Sequence, residues 1–271
     1  MPARSFLYVP GDRYDRLDKA LTRAGDAVIV DLEDAVAPAN KDLALTTLLD
    51  WLPSLPAQRP EVWVRLNSGP RMTYELESLS GQSLAGLLLA KAELASVRAA
   101  AELSSYSLAP LVETATGVLD LREIAAVPGV SHVGLGEADL AAELALQPSA
   151  DEREVWPLRM QAVVASAAAG IAPPTGPVYT AIKDLDGLRE STLALKRAGF
   201  GARSAIHPDQ VAVIEEAMTP TQAEVDAARE LVAAWDSSGD GVAVDNRGKM
   251  IDEAVVRSAR RVVATANRLF L

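Results

Sequence analysis

Eight times in its first 220 residues the chain repeats one unit: a short apolar run, a polar tip, then a helical pattern. The runs are "FLYVP", "AVIVDLED", "EVWVRLN", "LAGLLLAK", "SLAPLVET", "SHVGLG", "GPVYTAI" and "ARSAIHP". Several are apolar throughout rather than alternating, the mark of parallel strands buried on both faces. Eight strand–helix units in this length predict an α/β protein, a (β/α)₈ TIM barrel with a C-terminal helical extension. An open doubly wound sheet would want a glycine-rich phosphate loop after the first strand, and "VPGDRYD" is not one.

The helical signals sit where the barrel needs them. Tyr14 to Ala24 carries Leu17, Ala20, Leu21 and Ala24 on one face, with Gly25 at the C-cap position. An Ala-rich helix is expected over Glu152 to Ala169. Beyond the eighth unit, Thr221 and Glu224 form a T-x-x-E capping box. A polar, Gly-rich stretch follows from Asp236 to Lys249, then a last helix from about Asp252 to Asn267. Two domains are expected: a barrel over 1–220 and an extension over 221–271 that reaches a neighbouring subunit. Val255, Val256, Ala259, Val262 and Val263 give the last helix an apolar face that needs cover.

Composition narrows the function. The 271 residues include no cysteine, which excludes disulfides, zinc–thiolate sites and cysteine nucleophiles and fits a cytoplasmic protein. A formal charge of −11 repels nucleic acid. No apolar stretch approaches the roughly 18 residues of a membrane span, and "MPARSFLYVPG" does not read as a signal peptide.

In a barrel the C-terminal strand ends converge on one mouth, where chemistry is carried. Those ends supply Asp31, Glu33 and Asp34; Arg65 and Asn67; Lys91 and Glu93; Glu113; Gly136, Glu137 and Asp139; and His207. So many carboxylates in one pocket repel unless paired. A Mg²⁺ ion, which takes one or two carboxylates plus waters and substrate oxygens, relieves that repulsion. Glu113 and Asp139 end neighbouring strands and are the candidate metal ligands; helix capping is the alternative for Asp139. Arg65 leaves a buried strand and must be paired. It is either a clamp on a substrate carboxylate or a salt-bridge partner of Glu33 or Asp34. His132 starts a strand, at the wrong end for the chemistry, and His207 precedes Pro208 as a helix-entry residue.

The blocks "RSFLYVPGDRYDRLDKALTRAGDAVIVDLEDAV", "VRLNS", "KAE", "LVETATGV", "GLGEADLA", "AIHPDQ" and "GKMIDEA" follow one another along nearly the whole chain. Together they resemble the citrate lyase beta-subunit-like branch of the HpcH/HpaI aldolase family. The resemblance implies a Mg²⁺-dependent carbon–carbon lyase that cleaves a citryl-, malyl- or citramalyl-CoA type thioester. Its products would be an acetyl-CoA-type thioester and a 2-oxo acid such as oxaloacetate. It implies Glu113 and Asp139 as metal ligands and Arg65 as the substrate-carboxylate residue. Gly136, Glu137 and Ala138 are implied at the substrate and Arg4 at the CoA. Asp252 is implied as the catalytic acid, supplied by a neighbour within a homotrimer or dimer of trimers. Two positions depart from the family pattern: Ala90 precedes Lys91 where Pro is usual, and "YELESL" has Glu for Asp. The HpaI branch uses a histidine base near the second strand, and "DLEDAVAP" has none. A malate- or citramalate-synthase-type thioesterase is the alternative within the enzymes. A subunit or binder of CoA and oxo acids inside a larger complex is the alternative outside them.

Overall fold

The structure, a computed structural model, describes residues 3–238, 243–244 and 250–270. The chain divides into two compact units, 2–216 and 217–271.

The first unit is a closed, all-parallel barrel of eight strands joined in chain order. They are β1 (Ser5–Pro10), β2 (Ala27–Asp31), β3 (Glu61–Leu66), β4 (Gly86–Leu89), β5 (Ser107–Val112), β6 (Gly134–Leu135), β7 (Thr175–Gly176) and β8 (Ala202–Ala205). Phe6 pairs with Ser204, and this closes the ring. Strands buried on both faces explain the unbroken apolar runs. Val28, Val30, Val62, Val64, Leu87 and Leu89 point outward and are at most 1% exposed. Ile29, Trp63, Leu88 and Ala109 point inward. The floor of the interior is aromatic: Trp63 meets Phe6 and His132 edge-on, with ring centroids 5.9 and 5.2 Å apart. Gly86 on β4 is required there, because a Cβ would overlap the Trp63 ring.

Several ladders are shorter than the apolar runs predict. β7 was expected over "GPVYTAI" but pairs only at Thr175–Gly176, since Pro173, Pro174 and Pro177 have no N–H to donate. The Ala-rich helix begins at Trp156 rather than Glu152, with Pro157 in its first turn. The helix Tyr14–Arg23 ends before Gly25, whose φ of 64° completes the turn.

In the second unit the capping box forms as read: Thr221 N–H donates to Glu224, and Glu224 N–H to Thr221 Oγ1. The helix it opens, Gln222–Ser238, runs on past Trp235 into the stretch expected as loop. Ala243–Val244 pairs antiparallel with Met250–Ile251; residues 239–242 and 245–249 of the expected loop lie outside the described residues. The last helix is Glu253–Phe270. Part of its apolar face is covered within its own unit. Val256, 1% exposed, packs with Ile251 against Leu231, Val232, Ala234 and Trp235 of its own unit. No helix among the described residues is long and apolar enough to cross a membrane.

Candidate active site

The C-terminal ends of the barrel strands open into a cavity of about 610 Å³. Asp31, Asp34, Arg65, Glu113, Glu137 and Asp139 line it, with Gly136 before Glu137 and Ala138 between Glu137 and Asp139. The strands place these groups by parity. Side chains of one strand alternate faces, so Asp31 points inward above Ile29, Arg65 above Trp63, and Glu113 above Leu111.

Glu113 is 2% exposed. Its Oε1 accepts the backbone N–H of Lys91 at 2.6 Å. Its Oε2 has no hydrogen bond among the described residues and lies against Gly136, where a Cβ would collide with it. Burial pushes the Glu113 carboxyl up to about 7; the charges of Asp139 and Glu33 add to this, while the Lys91 N–H and Arg65 oppose it. A buried carboxyl with one bare oxygen, beside a second carboxylate, is a cation site in its electrostatics. Among the described residues no three His, Cys, Asp or Glu gather around one point. Two carboxylates fit Mg²⁺, which keeps waters and substrate oxygens in its shell; they do not fit a cage closed by protein.

Arg65 is held rather than free. Its Nε and Nη2 donate to the two oxygens of Asp31 at 2.7 and 2.6 Å. Its Nη1 lies 3.2 Å from Glu33 and 3.6 Å from Asp34. Burial works against its charge, but these carboxylates raise its pKa beyond the ordinary guanidinium range. Asp31, 1% exposed, also accepts the N–H groups of Glu33 and Ala35. The bidentate fork expected for a substrate is therefore closed on its Nε–Nη2 edge. A substrate carboxylate has only the Nη1–Nη2 end to use. The sequence named Glu33 and Asp34 as salt-bridge partners and passed over Asp31, the nearest one.

Lys91 adopts φ 49°, uncommon outside glycine. That turn aims its amide at Glu113 and its ammonium at Glu33, 2.8 Å away. Tyr8 was not singled out from the sequence. Its ring lies in the mouth with the Arg65 guanidinium 5.0 Å from its centroid. Burial drives its phenol well above the usual range. Its place two residues after Phe6 on an inward-facing strand was the available signal.

Other expected residues are placed differently. The Glu137 side chain is taken by Arg159, with bonds of 2.6 and 2.7 Å, and Arg159 also binds Glu152 at 2.7 Å. At Glu137 only the backbone remains for a substrate. Arg4, implied at the CoA, is not brought to the mouth. It precedes β1 as Asp26 precedes β2, so both lie at the opposite end of a parallel barrel. There Arg4 binds Asp26 through its N–H and its guanidinium at 2.7–2.9 Å. Asp252 belongs to the second unit, where its Oδ1 accepts Val255 N–H at 2.9 Å and caps the last helix. His207 Nδ1 accepts Asp209 N–H at a helix start, as its position before Pro208 indicated.

Comparison with known proteins places this geometry. Residues 4–208 match the family model of HpcH/HpaI aldolase/citrate lyase. A (3S)-malyl-CoA thioesterase of Cereibacter sphaeroides is 34% identical, over 99% of this chain and 96% of that protein. An L-malyl-CoA/beta-methylmalyl-CoA lyase of the same organism is 28% identical over the same shares. The crystal structure of the protein CitE from Mycobacterium tuberculosis in complex with magnesium, acetoacetate and coenzyme A superposes with a TM-score of 0.84. It is 32% identical and covers 98% of both chains.

Proposed function

Because the chain belongs to the HpcH/HpaI aldolase/citrate lyase family, we propose that it is a Mg²⁺-dependent lyase of CoA thioesters of 3-hydroxy acids, of the malyl-, citramalyl- or citryl-CoA type. The observation that carries this reading is Glu113: a buried strand-end carboxyl, one oxygen bare, beside Asp139 and across the mouth from Arg65. The magnesium, acetoacetate and coenzyme A bound to the CitE relative support it.

Glu113 and Asp139 would hold the Mg²⁺, which supplies Lewis-acid stabilisation to the oxygen on which negative charge develops. Arg65, braced by Asp31, holds the substrate carboxylate through its Nη1–Nη2 end. The turn Gly136–Glu137–Ala138 orients the acid through its backbone. In cleavage the 3-hydroxyl loses its proton to a base and becomes the 2-oxo group. The C–C bond breaks, and its electron pair passes to the thioester as an enolate. Asp252 gives that enolate carbon a proton, and the acetyl-CoA-type product leaves. In this reading Asp252, exposed at the start of its helix, completes the site of a neighbouring barrel in a homotrimer.

The malyl-CoA thioesterase relative favours one second reading, hydrolysis of the thioester with no C–C cleavage. A single assay separates the two. Lyase action on malyl-CoA yields a 2-oxo acid and acetyl-CoA without free thiol, whereas hydrolysis yields malate and free CoA thiol. Because the chain has no cysteine, a thiol reagent reads CoA without protein background. Mg²⁺-dependent oxo-acid release from any of the three thioesters supports the lyase. Thiol release alone supports the hydrolase, and neither product from any of them sinks both readings.

A further inference from the structure

The cavity does not end at the acidic mouth. One layer below Gly136 and Glu113, the barrel interior is lined by Ile29, Leu88 and Leu111 on one side and by Thr175 and Ser204 on the other. Below these lies His132, on the aromatic floor with Phe6 and Trp63. Gly134 contributes no side chain to this layer, where a Cβ would meet Leu111.

Thr175, Ser204 and His132 are 7%, 8% and 7% exposed. Among the described residues neither hydroxyl has a side-chain hydrogen bond, and His132 Nε2 is a buried nitrogen without a partner. Both hydroxyls line the cavity from the adjacent strands β7 and β8, so whatever fills this layer must pair them or leave them dry. His132 Nδ1 lies 3.1 Å from Ser131 Oγ, and its Nε2 is enclosed by the floor without a partner among the described residues. Burial lowers His132 to about 4, so the ring is neutral at ordinary pH. Among the described residues Arg65, in the layer above, is the one cationic side chain that lines the cavity.

We propose that this lower chamber is a specificity compartment that receives the uncharged, oxygen-bearing tail of a 2-oxo acid and hydrogen-bonds it through Thr175 and Ser204. The inference rests on the mouth being an oxo-acid site and narrows which acids it takes. A carboxylate tail, as in oxaloacetate, would be buried there without a cation. An alkyl tail would leave the two side-chain hydroxyls unpaired. A hydroxyl exchanges hydrogen bonds with both of them. Two residues of strand separate the layers, about 5 Å along the axis at TIM-barrel tilt. A four-carbon acid anchored at Arg65 therefore reaches the chamber, and glyoxylate does not.

The test is calorimetric binding of glyoxylate, 2-oxobutanoate, 4-hydroxy-2-oxobutanoate and oxaloacetate to the Mg²⁺-loaded full chain, and to Ser204→Ala and Thr175→Val. In the unmodified protein the hydroxy acid should bind roughly tenfold more tightly than 2-oxobutanoate, and more tightly than oxaloacetate. Each substitution should cut the first advantage roughly three- to tenfold, the equivalent of one net hydrogen bond. Glyoxylate affinity should stay the same, which also reports that the mouth and fold are intact. Should Thr175→Val lose glyoxylate binding, Ser204→Ala alone decides. Equal binding of the hydroxy and plain acids, tighter binding of oxaloacetate, or an unchanged ratio in the variants overturns the chamber while leaving the mouth in place. Failure of every acid, glyoxylate included, overturns the oxo-acid reading and the chamber with it.

Discussion

Replacing Glu113 by Gln in the metal-free protein should stabilise it, and increasingly so as pH rises. The carboxyl is held at about 7 against an ordinary value of 4.5, chiefly by burial. Below pH 4.5 the group is protonated in both folded and unfolded chains, and ionisation costs the fold nothing. Between 4.5 and 7 the unfolded chain releases the proton and the folded one keeps it. The folded state then binds more protons, so stability falls as pH rises. Above 7 the loss is complete, about 3 kcal/mol at about 1.36 kcal/mol per tenfold in proton affinity. Gln keeps the carbonyl that accepts Lys91 N–H and does not titrate. Urea unfolding in chelator at pH 4.5 and pH 8 should therefore show the stability gap, variant minus unmodified protein, widening by about 3 kcal/mol at the higher pH. Saturating Mg²⁺ should shrink or reverse that gap, since only the carboxylate ligates well. A gap that is the same at both pH values refutes the claim that Glu113 is buried as an uncompensated acid.

Arg65→Lys should weaken 2-oxo acid binding by about 1.5–3 kcal/mol, because one ammonium cannot both satisfy Asp31 and reach a substrate; unchanged calorimetric affinity would make Arg65 purely structural. Arg159→Met strands Glu137 and Glu152 and should cost about 3 kcal/mol in denaturant unfolding, with no dependence on Mg²⁺. Asp252→Asn should keep the helix cap, whereas Asp252→Ala should lose about 1 kcal/mol; if Asn also keeps full activity, the carboxylate transfers no proton. Co-expressed Asp252→Ala and Glu113→Ala chains should recover part of the activity in mixed oligomers, and no recovery in demonstrably mixed oligomers would return Asp252 to its own barrel or to capping alone.

Much of this was legible in the sequence. Hydrophobic periodicity is a local property, and a strand buried on both faces must be apolar throughout, so eight such runs prescribe the barrel. Chain direction then fixes which end of each strand faces the mouth, and this singled out Glu113, Arg65, Gly136, Glu137 and Asp139 before any coordinates. The capping box at Thr221 and Glu224 was readable for the same reason, since both partners lie within one turn. Partnership between strands was readable only in part: the sequence offered Glu33 and Asp34 to Arg65, and both lie beside it, but the nearer Asp31 was missed. Asp31 holds Arg65 across 34 residues of sequence, Arg159 holds Glu137 across 22, and Lys91 reaches Glu33 across 58. Each bond depends on the register of neighbouring strands and on where a helix comes to rest. The bare oxygen of Glu113, the unpartnered groups at Thr175, Ser204 and His132, and the place of Arg4 at the far end of the barrel share that origin. Sequence determined which residues are charged or buried; the closure of the barrel decided which found a partner and which were left facing the cavity.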